Sequence, residues 1–126
     1  MTESHGTRGV LIVEDDDELR SLFGQVFEAE GFRVYQAGDG ERGLDMLSAH
    51  APEIHLLITD LGLPGLGGVE LIARVRKASP DLKIIGTSGF GAKDVREMVL
   101  AAGANDFIPK PFSMPEMVGK VKSLLP

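Results

Sequence analysis

The sequence predicts an α/β domain: a five-stranded parallel sheet with helices on both faces. Three observations carry that expectation. Short apolar runs rich in β-branched residues alternate along the chain with stretches of helical spacing, five of each. The first run, Val10-Leu11-Ile12-Val13, is apolar without interruption, as a strand buried on both faces requires. Glycines and prolines fall singly or in pairs between these segments and read as turns. Strands alternating with helices imply right-handed crossovers and a parallel sheet.

After the first strand, Leu19, Leu22, Phe23, Val26 and Phe27 recur at helical spacing until Gly31 stops the helix. Asp16 and Asp17 stand at its start, where the helix dipole favours negative charge. Residues 32–37 read as a second strand and 41–49 as a weaker helix. Residues 54–59 form a third strand that ends at Asp60. Val69, Ile72, Ala73, Val75 and Arg76 carry a third helix, which Pro80 closes. Residues 82–86 are a fourth strand and 94–102 a fourth helix, capped by Gly103. Phe107-Ile108 is a short fifth strand. Met114, Met117, Val118, Val121, Leu124 and Leu125 then give the clearest helical stripe of the chain.

A chain of 126 residues fits one domain. Residues 1–8, polar and unpatterned, are expected to be a flexible tail, and 9–126 the domain. The absence of cysteine excludes disulfides, thiolate catalysis and cysteine-ligated zinc, and is compatible with the cytoplasm, the expected location. No apolar run approaches the roughly 18 residues of a membrane span. The net charge is −6 and the basic residues are scattered, which argues against direct contact with nucleic acid.

In sheets of this kind ligands bind beyond the carboxyl ends of the strands. The residues there are Glu14-Asp15, Asp60, Thr87-Ser88 and Lys110. Three carboxylates within about 5 Å would repel by roughly 3 kcal/mol per pair at an effective dielectric near 20. A cation relieves that, and all-oxygen ligation with open positions suits Mg²⁺ (or Mn²⁺). A lysine can neutralise phosphoryl oxygens, and a threonine hydroxyl can donate to them. A carboxylate nucleophile, a divalent cation, a lysine and a hydroxyl together amount to aspartyl-phosphate chemistry. Gly62 to Gly68 lacks the Gly-Lys-Ser/Thr ending of a nucleotide-binding loop and reads as a turn. His5, His50 and His55 show no ligand spacing.

Val13-Glu14-Asp15-Asp16, Thr59-Asp60-Leu61-Gly62-Leu63-Pro64 with Gly68, Thr87-Ser88, and the stretch Gly103-Ala104-Asn105-Asp106-Phe107-Ile108-Pro109-Lys110-Pro111-Phe112 resemble the receiver domain of two-component response regulators. The resemblance runs from about Gly9 to Leu125, with every motif in order. It implies the flavodoxin-like, doubly wound three-layer sandwich with strand order 2-1-3-4-5. It implies that Asp60 takes a phosphoryl group from a phosphohistidine on a histidine kinase or histidine phosphotransfer protein. Asp15, Asp60 and the backbone carbonyl of Gly62 would ligate Mg²⁺ directly, with Glu14 acting through a metal-bound water. Lys110 would hold Asp60 and later the phosphoryl, and the Lys110–Pro111 bond would be cis. Thr87 would close on the phosphoryl, and Phe107 would report that movement to the surface around the fourth helix, fifth strand and fifth helix. The signal would pass to a downstream protein or an attached output domain. The chain would not be an enzyme beyond catalysing its own phosphorylation and dephosphorylation, and would be a monomer or weak dimer.

Some positions depart from the family pattern. Gly67 stands where an acidic residue or Asn often precedes the glycine. Gly62 and Gly89 offer no side chain to orient a hydrolytic water. Phe107 replaces a frequent Tyr, and the fifth helix has Lys120 and Lys122 but no arginine, unlike the salt-bridged dimer face of winged-helix regulators. Three alternatives remain at this point. A degenerate receiver would act only as a docking module, but all five chemical positions are filled. An aspartate-dependent phosphohydrolase usually has a second Asp where Gly62 stands. A flavin or nucleotide carrier would meet repulsion from Glu14-Asp15-Asp16.

Overall fold

The computed structural model describes residues 8–89 and 93–126. Along the chain run β1 (Gly9–Val13), α1 (Asp17–Ala29), β2 (Arg33–Ala37), α2 (Gly40–His50), a single 3₁₀ turn (Ala51–Glu53) and β3 (Leu56–Asp60). Then follow α3 (Gly68–Ala78), β4 (Lys83–Ser88), α4 (Lys93–Ala102), β5 (Asp106–Pro109) and α5 (Met114–Leu124). All strand pairs are parallel and the sheet order is β2-β1-β3-β4-β5, as expected.

Side chains alternate across a strand, so a wholly apolar strand feeds two cores at once. Val10 and Ile12 of β1 pack with Phe23 and Phe27 of α1 and Met117 and Val121 of α5. Leu11 and Val13 face the other way, toward Leu71, Ile72 and Val75 of α3 and Val99 of α4. The sheet is therefore the middle of three layers, with α1 and α5 on one side and α2, α3 and α4 on the other. Asp16 caps α1: its Oδ1 accepts from the N–H groups of Glu18 (3.0 Å) and Leu19 (3.1 Å). Gly31 and Gly103, at φ +95° and +122°, reverse the chain after α1 and α4 in the left-handed region that favours glycine.

Local differences from the sequence reading have physical reasons. Leu22 is 45% exposed, because the turn of α1 that touches the sheet is set by Phe23 and Phe27. Leu71, not Ala73, is a buried residue of α3. β4 runs on through Thr87 and Ser88, which the sequence placed just after the strand, since they pair with Ile108 and Pro109 of β5. Ile54 is buried but precedes β3, after the 3₁₀ turn. Of the expected tail, residues 1–7 lie outside the described residues. The Arg8 carbonyl accepts from the Arg33 N–H at 2.9 Å, and its guanidinium donates to the Pro126 carbonyl at 2.8 Å. Among the described residues no helix is long and apolar enough to cross a membrane.

Candidate functional site

β1 lies between β2 and β3, so the strand order reverses there and a crevice opens beyond its carboxyl end. Glu14-Asp15 follow β1 directly, and Asp60 is the last residue of β3. Oxygens of Glu14, Asp15 and Asp60 all lie within 4.8 Å of one another. Lys110, just past β5, reaches back across the edge: its Nζ is 3.1 Å from Glu14 Oε1 and 3.2 Å from Asp60 Oδ1. The Lys110 N–H donates to the Ser88 carbonyl at 2.8 Å, and the Lys110–Pro111 bond is cis. Three carboxylates against one ammonium leave two negative charges, which a divalent cation would balance. The carboxylate set fits such an ion.

Glu14 and Asp60 are buried, whereas Asp15 is exposed. Burial pushes the Glu14 carboxyl up; the Asp16 N–H and Lys110 oppose this, and the charge of Asp60 adds to it. Burial also acts against the Lys110 ammonium, but the hydrogen bond to Glu14 and the charges of Asp60 and Glu14 outweigh it and raise its pKa. Both values rise, but for opposite reasons: in the glutamate, whose side chain is 3% exposed, desolvation favours the neutral acid, whereas in the lysine, 26% exposed, the facing carboxylates favour the charged ammonium.

Thr87 sits opposite Asp60 in the β3–β4 register and is 1% exposed. Among the described residues its hydroxyl has no hydrogen-bond partner, which is uncommon for a buried donor. Gly62 lies beside the acid: a Cβ built there would be 3.5 Å from Asp60 Oδ2. Phe107 is buried in the core under α3 and α4. The geometry thus brings Glu14, Asp15, Asp60, Thr87, Gly62 and Lys110 to one edge, with Phe107 farther along the same sheet.

The sequence reading missed basic residues that tie the loop after β1 to α1, and the start of β5 to α4 and α5. Arg20 Nη1 donates to the Glu14 carbonyl and Nη2 to Asp17 Oδ1, each at 2.7 Å. Arg96 Nη1 donates to the Phe107 carbonyl at 3.2 Å, and its Nη2 lies 3.7 Å from Asp106 Oδ1. Lys120 Nζ is 2.8 Å from Asp106 Oδ2. Only the Arg20–Asp17 spacing of three residues is visible in one dimension.

Burial tends to raise the Asp106 pKa. The Lys120 hydrogen bond, the Phe107 N–H and the charges of Lys120 and Arg96 outweigh it and hold the group below the usual carboxylate range. A carboxyl depressed on folding stabilises above its unfolded pKa, and that stabilisation is lost as pH falls through the folded value. Asp106→Asn should therefore cost about 1 kcal/mol at neutral pH, with the difference shrinking below about pH 4. Denaturant melts of both proteins across that range check it. A constant difference would show that the charge is not what matters.

The sequence matches the response regulator receiver domain family over residues 10–122. It is 33% identical to the sensor kinase CckA of Brucella abortus over 125 residues, 98% of this chain and 13% of that protein. It is 35% identical to the transcriptional regulatory protein CpxR of Escherichia coli over 92% of this chain and 48% of that one. Sporulation initiation phosphotransferase F of Bacillus subtilis is 32% identical over 93% of each chain. The chain thus spans half or less of the first two relatives and nearly all of the third. Among solved structures, the CheX-CheY-BeF3-Mg²⁺ complex of Borrelia burgdorferi superposes with a TM-score of 0.89 at 27% identity, covering 94% of this chain and 90% of that one. A CheY-like receiver domain protein of Methanospirillum hungatei gives 0.85 at 29%, covering 92% and 91%. Sequence, sheet order and superposition agree: the chain belongs to the response-regulator receiver domains, the phosphoryl-accepting switches of two-component signalling.

Proposed function

We propose that Asp60 is the phosphoacceptor and that the donor is a phosphohistidine on a histidine kinase or histidine phosphotransfer protein. The observation that carries this is the Asp60 carboxylate at the end of β3, 3.2 Å from Lys110 and within 4.8 Å of Glu14 and Asp15. An Asp60 oxygen attacks phosphorus as the P–N bond breaks, and its electron pair leaves on the imidazole nitrogen. Lys110 holds the carboxylate beforehand and neutralises phosphoryl oxygens afterwards. The Thr87 hydroxyl donates to a phosphoryl oxygen, a partner it lacks among the described residues.

Mg²⁺ (or Mn²⁺), held by Asp15, Asp60 and the Gly62 carbonyl with Glu14 behind a water, would supply charge neutralisation as the phosphoryl arrives. The reading makes the chain a switch that acts only on itself and turns over no other substrate. Movement of Thr87 makes room at Phe107, shifting the population of surfaces around α4, β5 and α5 that a downstream protein or attached output domain reads. It would act in the cytoplasm as a monomer or weak dimer, and its net charge of −6 disfavours direct contact with nucleic acid or an anionic membrane surface.

Incubation with a small phosphodonor and Mg²⁺ should add one phosphoryl group, read as a mass increase, and excess chelator should prevent it. Because the cation relieves carboxylate repulsion, Mg²⁺ at ten times its dissociation constant should stabilise the unphosphorylated protein by about 1.4 kcal/mol. Asp15→Ala should remove both effects in thermal melts and labelling. Labelling that persists in chelator would refute the cation's role.

A further inference from the structure

Asp15 is the exposed carboxylate of the three, and among the described residues its side chain has no hydrogen-bond or ion-pair partner. Nothing but the backbone therefore sets where it points. Both peptide groups that flank its Cα are held by side chains. The Glu14 carbonyl accepts from Arg20 Nη1 at 2.7 Å, and the Asp16 N–H donates to Glu14 Oε2 at 3.1 Å. The Glu14 N–H is also held, by the Ala37 carbonyl at 3.1 Å.

Arg20 is itself fixed. Nη2 donates to Asp17 Oδ1 at 2.7 Å, and a Cβ built at Gly38 would stand 3.5 Å from Nη1. The arginine side chain is only 22% exposed. It thus ties the loop after β1 to the first turn of α1 and lies beside Gly38 in the loop after β2. A plain surface ion pair with Asp17, which is 86% exposed, would contribute little and would not need the second nitrogen. That nitrogen is spent on a backbone carbonyl one bond away from a proposed ligand.

We propose that Arg20 is a positioning residue for the cation site: it locks the Glu14–Asp15 peptide so that the free Asp15 carboxylate is presented to the ion. The proposal rests on the Mg²⁺ reading above. Position and charge make opposite demands on the experiment. As a positive charge beside an acidic cluster, Arg20 opposes cation binding, so neutralising it should tighten Mg²⁺ if charge were all that counted. If it positions Asp15, neutralising it should weaken Mg²⁺, because groups that orient a ligand typically contribute tenfold or more to affinity.

The test is calorimetric titration of Mg²⁺ into the unphosphorylated full chain, with labelling rates measured across Mg²⁺ concentration. Arg20→Met should weaken Mg²⁺ about tenfold and raise the half-saturating Mg²⁺ for labelling by the same factor. The rate at saturating Mg²⁺ should stay within about twofold of wild type, since the ion once bound re-forms the site. Arg20→Lys keeps the charge and one donor and should recover part of the affinity. Asp17→Asn leaves Arg20 in place but loosens its anchor, and should weaken Mg²⁺ by about half as many log units. Unchanged or tighter Mg²⁺ in Arg20→Met overturns the proposal, as does a lowered melting temperature with unchanged affinity. If that variant does not fold, wild-type affinity in both Arg20→Lys and Asp17→Asn overturns it. A wild type that binds no Mg²⁺ would sink the cation reading itself, an outcome distinct from a bound ion indifferent to Arg20.

Discussion

Asp60→Asn should reduce phosphoryl labelling to background while leaving the protein folded. The amide keeps the size and shape of the carboxylate but removes the nucleophilic charge, so the loss reports chemistry and not packing. Two other carboxylates stand within 4.8 Å, so the choice of Asp60 has to be argued. Glu14 is buried, its Oε1 is engaged by Lys110 and its Oε2 by the Asp16 N–H. Both of its oxygens are thus already engaged. Asp15 is open, but among the described residues no lysine or hydroxyl is bonded to it. Asp60 combines Lys110 at 3.2 Å with a Thr87 hydroxyl across the β3–β4 pair that has no partner among the described residues. Stability should not fall in the Asn variant, because one of three mutually repelling charges is gone. Those pairs are each worth roughly 3 kcal/mol at an effective dielectric near 20, before Lys110 offsets them. Mass spectrometry after incubation with phosphodonor and Mg²⁺, with a thermal melt of the same sample, checks both halves. Label retained on the Asn variant would refute Asp60 as the acceptor, and fragment mass mapping of the labelled protein would then identify the side chain that carries the phosphoryl.

Much of this was legible in the sequence because the fold announces itself in periodicity. A strand buried on both faces has to be largely apolar, and Val10–Val13 and the run before Asp60 fit that, their shortness and β-branched residues favouring strand over buried helix. The chemical residues were legible for a related reason: a parallel sheet collects whatever follows its strands at one edge. What escaped has a different origin. Arg20, Arg96 and Lys120 look like ordinary solvated helix residues, yet each ends on a loop or strand that only the folded chain brings near. Arg76 is a further case, donating to the Gly103 carbonyl at 3.0 Å across 27 residues. His55, without a ligand pattern, accepts the Gly9 N–H on Nδ1 at 3.0 Å and so helps align the starts of β1 and β3. Leu22 misled because helical spacing identifies a stripe, not which of its edges meets the sheet.

Gly68→Ala should be among the most damaging conservative changes in the chain. Local propensity points the other way: alanine in place of glycine inside a helix is worth about 1 kcal/mol of stabilisation. The surroundings decide against it. A Cβ at position 68, the first residue of α3, would lie 2.4 Å from the Asp60 carbonyl oxygen and 2.6 Å from the Leu61 Cα. Both are backbone atoms, so no rotamer change relieves the overlap. Either α3 backs away from the end of β3 or the strand end bends. Overpacking of this kind costs about 3 kcal/mol, at the upper end of its usual range, because rigid main chain faces rigid main chain. For a domain of this size that lowers the melting temperature by roughly 10 °C. Labelling should slow as well, even well below the melting point, since the displaced atoms belong to the proposed acceptor itself. Gly67→Ala is the control one residue away. Position 67 has φ −70° and ψ 159°, which any residue adopts, and a Cβ there meets nothing within 4 Å. Position 67 is also the N-cap of α3, where alanine is poorer than glycine, so that cost offsets the gain from a less flexible unfolded chain and the substitution should change stability by less than about 1 kcal/mol. Thermal melts and labelling rates of the two variants side by side separate contact from propensity. A Gly68→Ala protein as stable as Gly67→Ala would mean that the β3–α3 junction yields easily, and that Asp60 is not held rigidly by its backbone.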